Sequence, residues 1–233
     1  MQSVLLGIHR QLGANFIDRG DIPVVHDYGD VNAEVHAATN ESGIIELADY
    51  AVMRVEGKDG VAALAQISQI DLSVMTFGVG KHVTMRDWNE QRNSDLIVLA
   101  RESGFWVYAT EQDLHTLGVR IRAVNPNPAW TWLDRREPIV ILSVQGAFAA
   151  ESLGRSIGRA IALNEYHWGT MSFFDGELTI VKHARTGVDG YDLLVPSEHA
   201  EIFWEIITAN HACPFGYKAL DQARSEAGLN SKE

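Results

Sequence analysis

The stretch DLIVLARESGFWVYAT, residues 95–110, decides the class of fold. Two apolar runs, residues 95–100 and 105–110, are rich in aliphatic and aromatic side chains and are separated by the four residues RESG. Two such runs joined by a short turn that contains glycine are typical of a β-hairpin. Because the strands of a hairpin are antiparallel, the sequence predicts an antiparallel sheet in the middle of the chain.

Helices and further strands are expected on both sides of this hairpin. The segment KDGVAALAQIS, residues 58–68, repeats its apolar residues at helical spacing. The run PIVILSV, residues 138–144, is almost continuously apolar, which is typical of a strand at the centre of a sheet. The polar, turn-rich stretch GDIPVVHDYGD, residues 20–30, is predicted to be a loop. Hairpins mixed with helices indicate an α+β protein with antiparallel sheets backed by helices.

The charge balance argues against a nucleic-acid partner. The 233 residues include 31 Asp and Glu against 19 Lys and Arg, and the formal net charge of −12 repels phosphate backbones. No apolar segment approaches the length of about 20 residues that a membrane span needs. The first residues, MQSVLLGIHRQLGANF, lack a basic leader and a long apolar run, so we expect no secretory signal and a cytoplasmic protein.

The residue types that usually hold metal ions do not support a metal site. Cys213 is the single cysteine, which excludes a disulfide within the chain and a cysteine-based metal centre. The nine histidines are scattered along the chain, and none belongs to an HExxH motif. We therefore expect no metal.

Asp95 has the most suggestive position of the acidic residues. A carboxylate directly before the apolar run LIVLA lies at the mouth of the hairpin, where it can meet a ligand that carries a basic nitrogen. The alternative is an aspartate that only leads the chain from a turn into the strand, which is a common role. The residues alone leave both interpretations open.

Five blocks of the sequence, in order, carry a resemblance to a known family. They are VMRVEGKDGVAAL, NSDLIVLARESGFWVYA, ILSVQGAFAAESL, RTGVDGYDLLVPSEHAEIFWEII and PFGYKALDQARSEAG. The chain resembles the T-protein of the glycine cleavage system, an aminomethyltransferase, and its folate-dependent relatives. The matching blocks extend from about residue 30 to residue 228.

The resemblance implies an architecture, the T-protein-like folate-binding fold. Members of the family carry two interleaved α/β lobes with antiparallel sheets around a central cavity that holds the folate. On this basis residues 1–49 and 141–233 form the first, discontinuous lobe, and residues 50–140 form the second. The family's C-terminal β-barrel has no counterpart in the sequence, and we expect it to be absent.

The resemblance also implies that tetrahydrofolate is the cofactor and that Asp95 is the catalytic residue. Asp95 matches the second aspartate of the family's D-D-L-I-V motif, which lies near the pterin nitrogen where the one-carbon unit is made or taken. A carboxylate there can place a proton or stabilise a developing cation. His82 matches an aromatic residue of the family and Leu99 matches a tyrosine, so both are assigned to the folate-binding wall.

The turn RTGVDGYD, residues 185–192, resembles a shortened form of the family's R-T-G-Y-T-G-E-D-G-Y-E. Arg185 and Tyr191 match the family's residues and are expected to shape the pocket. Val188 stands where a family glutamate binds the polar edge of the pterin, and Asp189, one place along, is the nearest substitute. A carboxylate suits that edge because it accepts two N–H bonds side by side.

Two functions follow from these implications. The first is a tetrahydrofolate-dependent transferase that takes an aminomethyl or methyl group from a small-molecule donor. The alternative is a non-catalytic accessory or small subunit of a larger folate- or flavin-linked complex, which implies a partner subunit or a homo-oligomer. A third branch of the superfamily, in iron–sulfur assembly, carries a cysteine near this turn. The chain reads KHARTGVDG there, so that branch ranks low.

Overall fold

The computed structural model describes residues 3–86, 93–125, 130–132 and 139–229. Of these residues, the ones that belong to Met1–Asp49, Ile139–Glu165 and Gly169–Asn230 form one compact unit, called unit 1. The ones that belong to Tyr50–Pro138 and Tyr166–Trp168 form a second compact unit, called unit 2. Unit 1 is thus built from three separate segments of the chain.

Helices and strands alternate along the chain. The helices are α1 (Leu6–Gln11), α2 (Val31–Asn40), α3 (Gly57–Ser68), α4 (Glu111–Val124), α5 (Ala149–Ile157), α6 (Ala200–Ala209) and α7 (Tyr217–Glu226). The strands are β1 (Asn15–Arg19), β2 (Ile22–Asp27), β3 (Gly43–Glu46), β4 (Tyr50–Val55), β5 (Gly80–Arg86), β6 (Asn93–Ala100), β7 (Phe105–Thr110), β8 (Trp130–Trp132), β9 (Ile139–Gln145), β10 (Trp168–Phe173), β11 (Gly176–Lys182), β12 (Gly190–Pro196) and β13 (Cys213–Pro214). Short 3₁₀ turns lie at Leu72–Val74 and Ser197–His199.

The main sheet of unit 1 has β12 and β9 at its centre. Its described strands follow the order β10-β11-β12-β9-β3-β13. Strand β9 pairs antiparallel with both β12 and β3, so the prediction of a central strand from its apolar sequence is confirmed. The short strand β13 runs parallel to β3.

The core of unit 1 joins this sheet to its helices. Val144 of β9 and Leu193 of β12 belong to the same buried cluster as Leu153 of α5 and as Phe203 and Trp204 of α6. Alternate residues of a strand share one face, which explains how the sheet presents one continuous apolar surface to the helices. The burial of these large side chains is the main favourable term in the folding of the unit.

The predicted loop at residues 20–30 is wrong for its central part, which is strand β2. Strand β2 pairs antiparallel with β1 and packs against α7, and both Val24 and Val25 are buried. Pro23 suggested a loop because proline cannot donate to a ladder, but a strand at the edge of a small sheet tolerates it. Tertiary packing therefore overrode the local turn chemistry.

The sheet of unit 2 contains the predicted hairpin. Its described strands follow the order β5-β6-β7-β4-β8, and the neighbouring pairs are antiparallel. Strands β6 and β7 are joined by a tight turn in which the amide of Arg101 donates to the carbonyl oxygen of Gly104 at 3.0 Å. Gly104 has a φ of +83°, and a Cβ there would lie 2.3 Å from the carbonyl oxygen of Val55. Only glycine fits this turn without displacing the neighbouring strand.

Helices α3 and α4 cover one face of the unit 2 sheet. Leu64 of α3 and Leu114 of α4 share a buried cluster with Met53, Val98 and Val107 of the strands. The residues that alternate with these strand positions point to the opposite face. That opposite face carries Asp95, so the packing of the helices leaves the Asp95 side of the sheet uncovered by α3 and α4.

The structure confirms the predicted α+β class with antiparallel sheets. It also gives the local structure at Asp95. Strand β6 begins at Asn93, and Asp95 lies inside it, directly opposite Thr84 of β5. The interpretation of Asp95 as a turn residue before the strand is therefore wrong, because the ladder with β5 extends past it.

We expect Leu193→Ala to destabilise the protein strongly. Leu193 is fully buried in β12 between two neighbouring strands, and truncation of a leucine in such a site costs about 2–5 kcal/mol. The measurement is the free energy of unfolding in a chemical denaturant. Leu12→Ala is the matched control, because Leu12 is exposed and its truncation should change that free energy by less than about 0.5 kcal/mol. Equal effects of the two variants would contradict the assignment of the core.

Candidate functional site

Asp95 lies in a small polar group on the sheet of unit 2. The hydroxyl of Thr84 donates to Oδ1 of Asp95 at 3.0 Å, and Nε2 of His82 lies 3.2 Å from the same oxygen. The His82 ring stacks on the ring of Tyr166, with centroids 5.8 Å apart and an interplanar angle of 18°. The side chains of His82 and Asp95 are 36% and 34% exposed, so solvent and small molecules can reach this carboxylate.

The pairing of β5 with β6 creates this arrangement. Thr84 stands directly opposite Asp95 in the ladder, and His82 is two residues away on the same face of β5. Gly80 follows on that face, and a Cβ at Gly80 would lie 2.3 Å from the carbonyl oxygen of Tyr166. The glycine therefore lets the Tyr166 backbone approach β5, close to the point where its ring stacks on His82.

Leu99 has a different place from the exposed polar pair. It stands opposite Gly80 in the ladder and is fully buried. Leu99 is on the same face of β6 as Asp95, four residues further along. Its side chain is apolar and makes no hydrogen bond at this position.

Arg185 takes part in a buried ion pair in unit 1. Its Nε donates to Oδ1 of Asp192 at 2.8 Å, and its Nη2 donates to Oδ2 at 2.7 Å. Nδ1 of His183 lies 2.9 Å from Oδ2 of the same carboxylate. Asp192 is 0% exposed. A forked, bidentate contact of this kind is the strongest geometry that an arginine and a carboxylate can adopt.

The charges around Asp192 determine its protonation. Burial by itself raises the pKa of Asp192, but the positive charges of Arg185 and His183 and their hydrogen bonds outweigh it. The pKa of this carboxyl is consequently held well below its usual range. Asp192 therefore remains ionised, and Arg185 and His183 stabilise its negative charge inside the sheet.

Two polar residues of β9 complete the cluster. The hydroxyl of Ser143 donates to Oδ1 of Asp192 at 2.7 Å. The Gln145 amide donates to Oγ of Ser143 and to the carbonyl oxygen of His183, and its Oε1 accepts from the backbone amide of Arg185 at 2.9 Å. A Cβ at Gly190 would lie 2.1 Å from Oε1 of Gln145, so glycine is needed for the close approach. Gln145 thereby anchors the start of the turn to the central strand.

The side chains of Val188, Asp189 and Tyr191, also in this turn, have three different environments. Val188 is 52% exposed. Asp189 forms an ion pair with Nζ of Lys182, and its Oδ1 also accepts from the backbone amide of Gly190 at 2.9 Å. The ring of Tyr191 is buried in the core of unit 1, with Nζ of Lys182 4.3 Å from its centroid. Burial lowers the pKa of Lys182 and raises that of Tyr191, while the charge of Glu165 raises both.

The structure brings together only some of the residues singled out in the sequence. His82 and Asp95 meet in unit 2, and Arg185 is held by a partner, Asp192, that the sequence analysis did not select. Ser143, Gln145 and Asp192 are polar residues inside otherwise apolar central strands. Such residues are rarely buried without partners, and this was the signal by which the cluster was recognisable from the sequence.

Neither a metal centre nor a membrane span is found in the part of the chain that the structure describes. No group of three or more His, Cys, Asp or Glu side chains among those residues is arranged to hold a metal ion. Within the same residues, no helix is long and apolar enough to cross a membrane.

Known proteins match this chain over nearly its whole length. The family model described as the GCVT N-terminal domain matches residues 5–232, and the chain belongs to this family. The aminomethyltransferase of Stenotrophomonas maltophilia (strain R551-3) is 28% identical over 242 residues, which cover 98% of this chain and 64% of that protein. The aminomethyltransferase of Ralstonia nicotianae (strain ATCC BAA-1114 / GMI1000) is 29% identical over 249 residues, which cover 97% of this chain and 64% of that protein.

A solved structure shares the fold. The crystal structure of glycine cleavage system aminomethyltransferase T from Bartonella henselae matches with a TM-score of 0.82 at 22% identity, and covers 97% of this chain and 62% of that one. The predicted T-protein-like fold is thereby confirmed. The chain spans somewhat less than two thirds of the length of the curated relatives it matches.

We expect Asp192→Asn to destabilise the protein by about 3–5 kcal/mol, because it leaves the buried guanidinium of Arg185 without a counter-charge. The measurement is the free energy of unfolding near neutral pH. Asp18→Asn on the exposed face of β1 is the matched control and should change that free energy by less than about 0.5 kcal/mol. A loss below about 1 kcal/mol in Asp192→Asn would show that the carboxylate charge does not hold the cluster together.

At acid pH, the difference in unfolding free energy between wild type and Asp192→Asn should become smaller. The pKa of Asp192 is depressed in the folded state, so its contribution to stability is complete above the ordinary aspartate pKa and is lost as the pH falls below it. The difference in unfolding free energy between wild type and Asp192→Asn should be constant above about pH 5 and shrink steadily below about pH 4. A difference that stays constant throughout the acid range would contradict the lowered pKa.

Proposed function

We propose that this chain is a tetrahydrofolate-dependent transferase of one-carbon units, either aminomethyl or methyl groups, with a small molecule as the donor. The family is aminomethyltransferase-like, and that membership supports the class of reaction. The single observation that carries the proposal is the accessible carboxylate of Asp95, held in place by Thr84 and paired with His82.

The residues around Asp95 suit the nitrogen-rich ring of a reduced folate. A carboxylate accepts several hydrogen bonds, and Thr84 and His82 both contact Oδ1 of Asp95. The His82 and Tyr166 rings provide flat surfaces beside it. Tetrahydrofolate, when bound, supplies the nitrogen that accepts or releases the one-carbon unit.

The side chains of the chain itself account for the handling of protons. Asp95 stabilises positive charge that develops next to it, and it accepts a proton where one is released. With its proton on Nε2, His82 donates to Asp95 and keeps Nδ1 as an acceptor. Thr84 restricts the carboxylate to one orientation, so that little reorganisation is needed during the reaction.

The turn at residues 185–192 supports a second candidate, a non-catalytic accessory subunit. Val188 is apolar and exposed where the family pattern has a glutamate, and Asp189 is engaged by Lys182. A turn of this kind offers no carboxylate of its own to the polar edge of a pterin. In this second role the chain requires a partner subunit or a second copy of itself.

Calorimetric titration with tetrahydrofolate tests the first function. We expect the wild-type protein to bind it and Asp95→Asn to bind about tenfold to a hundredfold more weakly, because a charge-assisted hydrogen bond is lost. Asp59→Asn is the matched control, since it removes an exposed carboxylate of α3 in the same unit and should leave the affinity unchanged.

Binding, co-purification and turnover together separate the two candidates. Absence of binding at high ligand concentration would reject the transferase proposal. Co-purification with a partner, together with no turnover of any amine donor by the chain alone, would favour the accessory role. Turnover of a donor by the purified chain would reject that role.

A further inference from the structure

We propose that unit 2 contains a subsite for an organic carboxylate, formed by Arg54, Arg101, Trp106 and Trp168. The sequence motifs and the family resemblance assigned no role to these four residues. The inference rests on two arginines that lie near one indole, and on buried N–H groups that lack acceptors within the described part of the chain. These features lie in one compact unit of the chain.

Two guanidinium groups surround the Trp106 ring. The guanidinium carbon of Arg101 lies 4.0 Å from the centroid of Trp106 and 4.4 Å from that of Trp168. The guanidinium carbon of Arg54 lies 5.5 Å from the centroid of Trp106, which it faces across the ladder of β4 and β7. Such cation–π contacts orient a planar guanidinium by its face and leave the N–H groups directed along its edge.

The backbone holds these side chains in fixed positions. Arg101 opens the tight turn of the β6–β7 hairpin, and Arg54 and Trp106 are partners in the sheet. The amide of Trp168 donates to the carbonyl oxygen of Gly78 at 2.9 Å, and the Trp168 ring packs edge-on against Phe77 at 4.7 Å. A site built from a sheet and from backbone-anchored segments is preorganised for a ligand.

Two N–H donors at this place have no acceptor among the residues that the structure describes. Trp168 is only 3% exposed, and its buried Nε1 has no hydrogen-bond partner among the described residues. The same holds, within the described residues, for the buried Nε of Arg54. A buried donor without an acceptor costs roughly 1–3 kcal/mol, and native proteins usually satisfy such groups. An oxygen of a bound ligand removes this cost.

The chemistry of the site favours a carboxylate over other anions. The edge of a guanidinium group can donate two parallel hydrogen bonds to a planar carboxylate. The faces of the two indole rings also favour a flat group next to them. A tetrahedral phosphate matches the arginines equally well but fits poorly against aromatic faces.

The carboxylate has two conceivable sources, and one of them depends on the proposed function. Asp95 and Arg101 are six residues apart along the same chain segment, roughly 20 Å at about 3.3 Å per residue. That separation suits a long ligand with its ring at Asp95 and its acid at the other end, as in the glutamate tail of a folate. The other source is a small free amino acid. The contacts that support the subsite do not depend on the proposed function.

Nuclear magnetic resonance of the indole N–H groups tests the subsite directly. The probes are p-aminobenzoyl-glutamate, which is the folate tail without its pterin, and glycine. We expect the Trp168 indole N–H signal, assigned through Trp168→Phe, to move in a saturable way with one of these probes, because the proton gains an oxygen acceptor. A response to p-aminobenzoyl-glutamate alone identifies the tail, and a response to glycine alone identifies a free amino acid.

Arginine variants establish that the charge binds the probe. Arg101→Met should weaken binding at least about tenfold, as expected for a lost charge-assisted contact, and Arg101→Lys should restore part of the affinity. Arg155→Met on the exposed surface of α5 is the matched control and should bind as wild type does. Circular dichroism of each variant verifies that the fold is retained.

Three results would overturn the subsite. They are an unmoved Trp168 signal with both probes, unchanged affinity in Arg101→Met, and equally tight competition by inorganic phosphate. The pterin is absent from both probes, so a failure of tetrahydrofolate to bind at Asp95 leaves this test intact. Failure of the subsite in turn leaves the calorimetric test of Asp95 intact.

Discussion

The buried ion pair between Arg185 and Asp192 is the constraint on which the centre of unit 1 depends. Removing two charges from water costs several kcal/mol per ion, and only a close, bidentate and fully hydrogen-bonded geometry offsets that cost. The structure meets this requirement with the two contacts of Arg185, the ring of His183 and the hydroxyl of Ser143. Because these groups lie on β9, on β12 and in the turn before β12, their pairing fixes the path of that turn.

The two units use carboxylates in opposite ways. Asp192 is fully buried and its charge holds the turn in place, whereas the side chain of Asp95 is one-third exposed to solvent. The difference arises from the strands that carry them. Asp192 lies in a central strand covered on both faces, and Asp95 lies near the start of β6 on the face that the helices leave uncovered. A shared residue type thus serves structure in one unit and, in our proposal, chemistry in the other.

Much of the fold was predictable because its signals are local. The hairpin of β6 and β7, the central position of β9 and the α+β class follow from runs of apolar residues and from turn residues, and the structure confirms them. Strand β2 was missed because Pro23 and its polar neighbours resemble a loop, while pairing with β1 and packing on α7 made it a strand. Strand β6 also begins at Asn93, before the predicted run of residues 95–100, since the extent of a ladder depends on the partner strand.

The sequence by itself determined the types of the main elements, the antiparallel class and the family, because periodicity, turn chemistry and ordered motifs are written in neighbouring residues. Only the tertiary structure decided which side chains meet. Strand register places His82 diagonally across from Asp95, the bend of the chain brings Gln145 to Arg185 across 40 residues, and a backbone contact sets Trp168 beside Arg101. These contacts join distant parts of the chain, and no local pattern of apolar and polar residues specifies them.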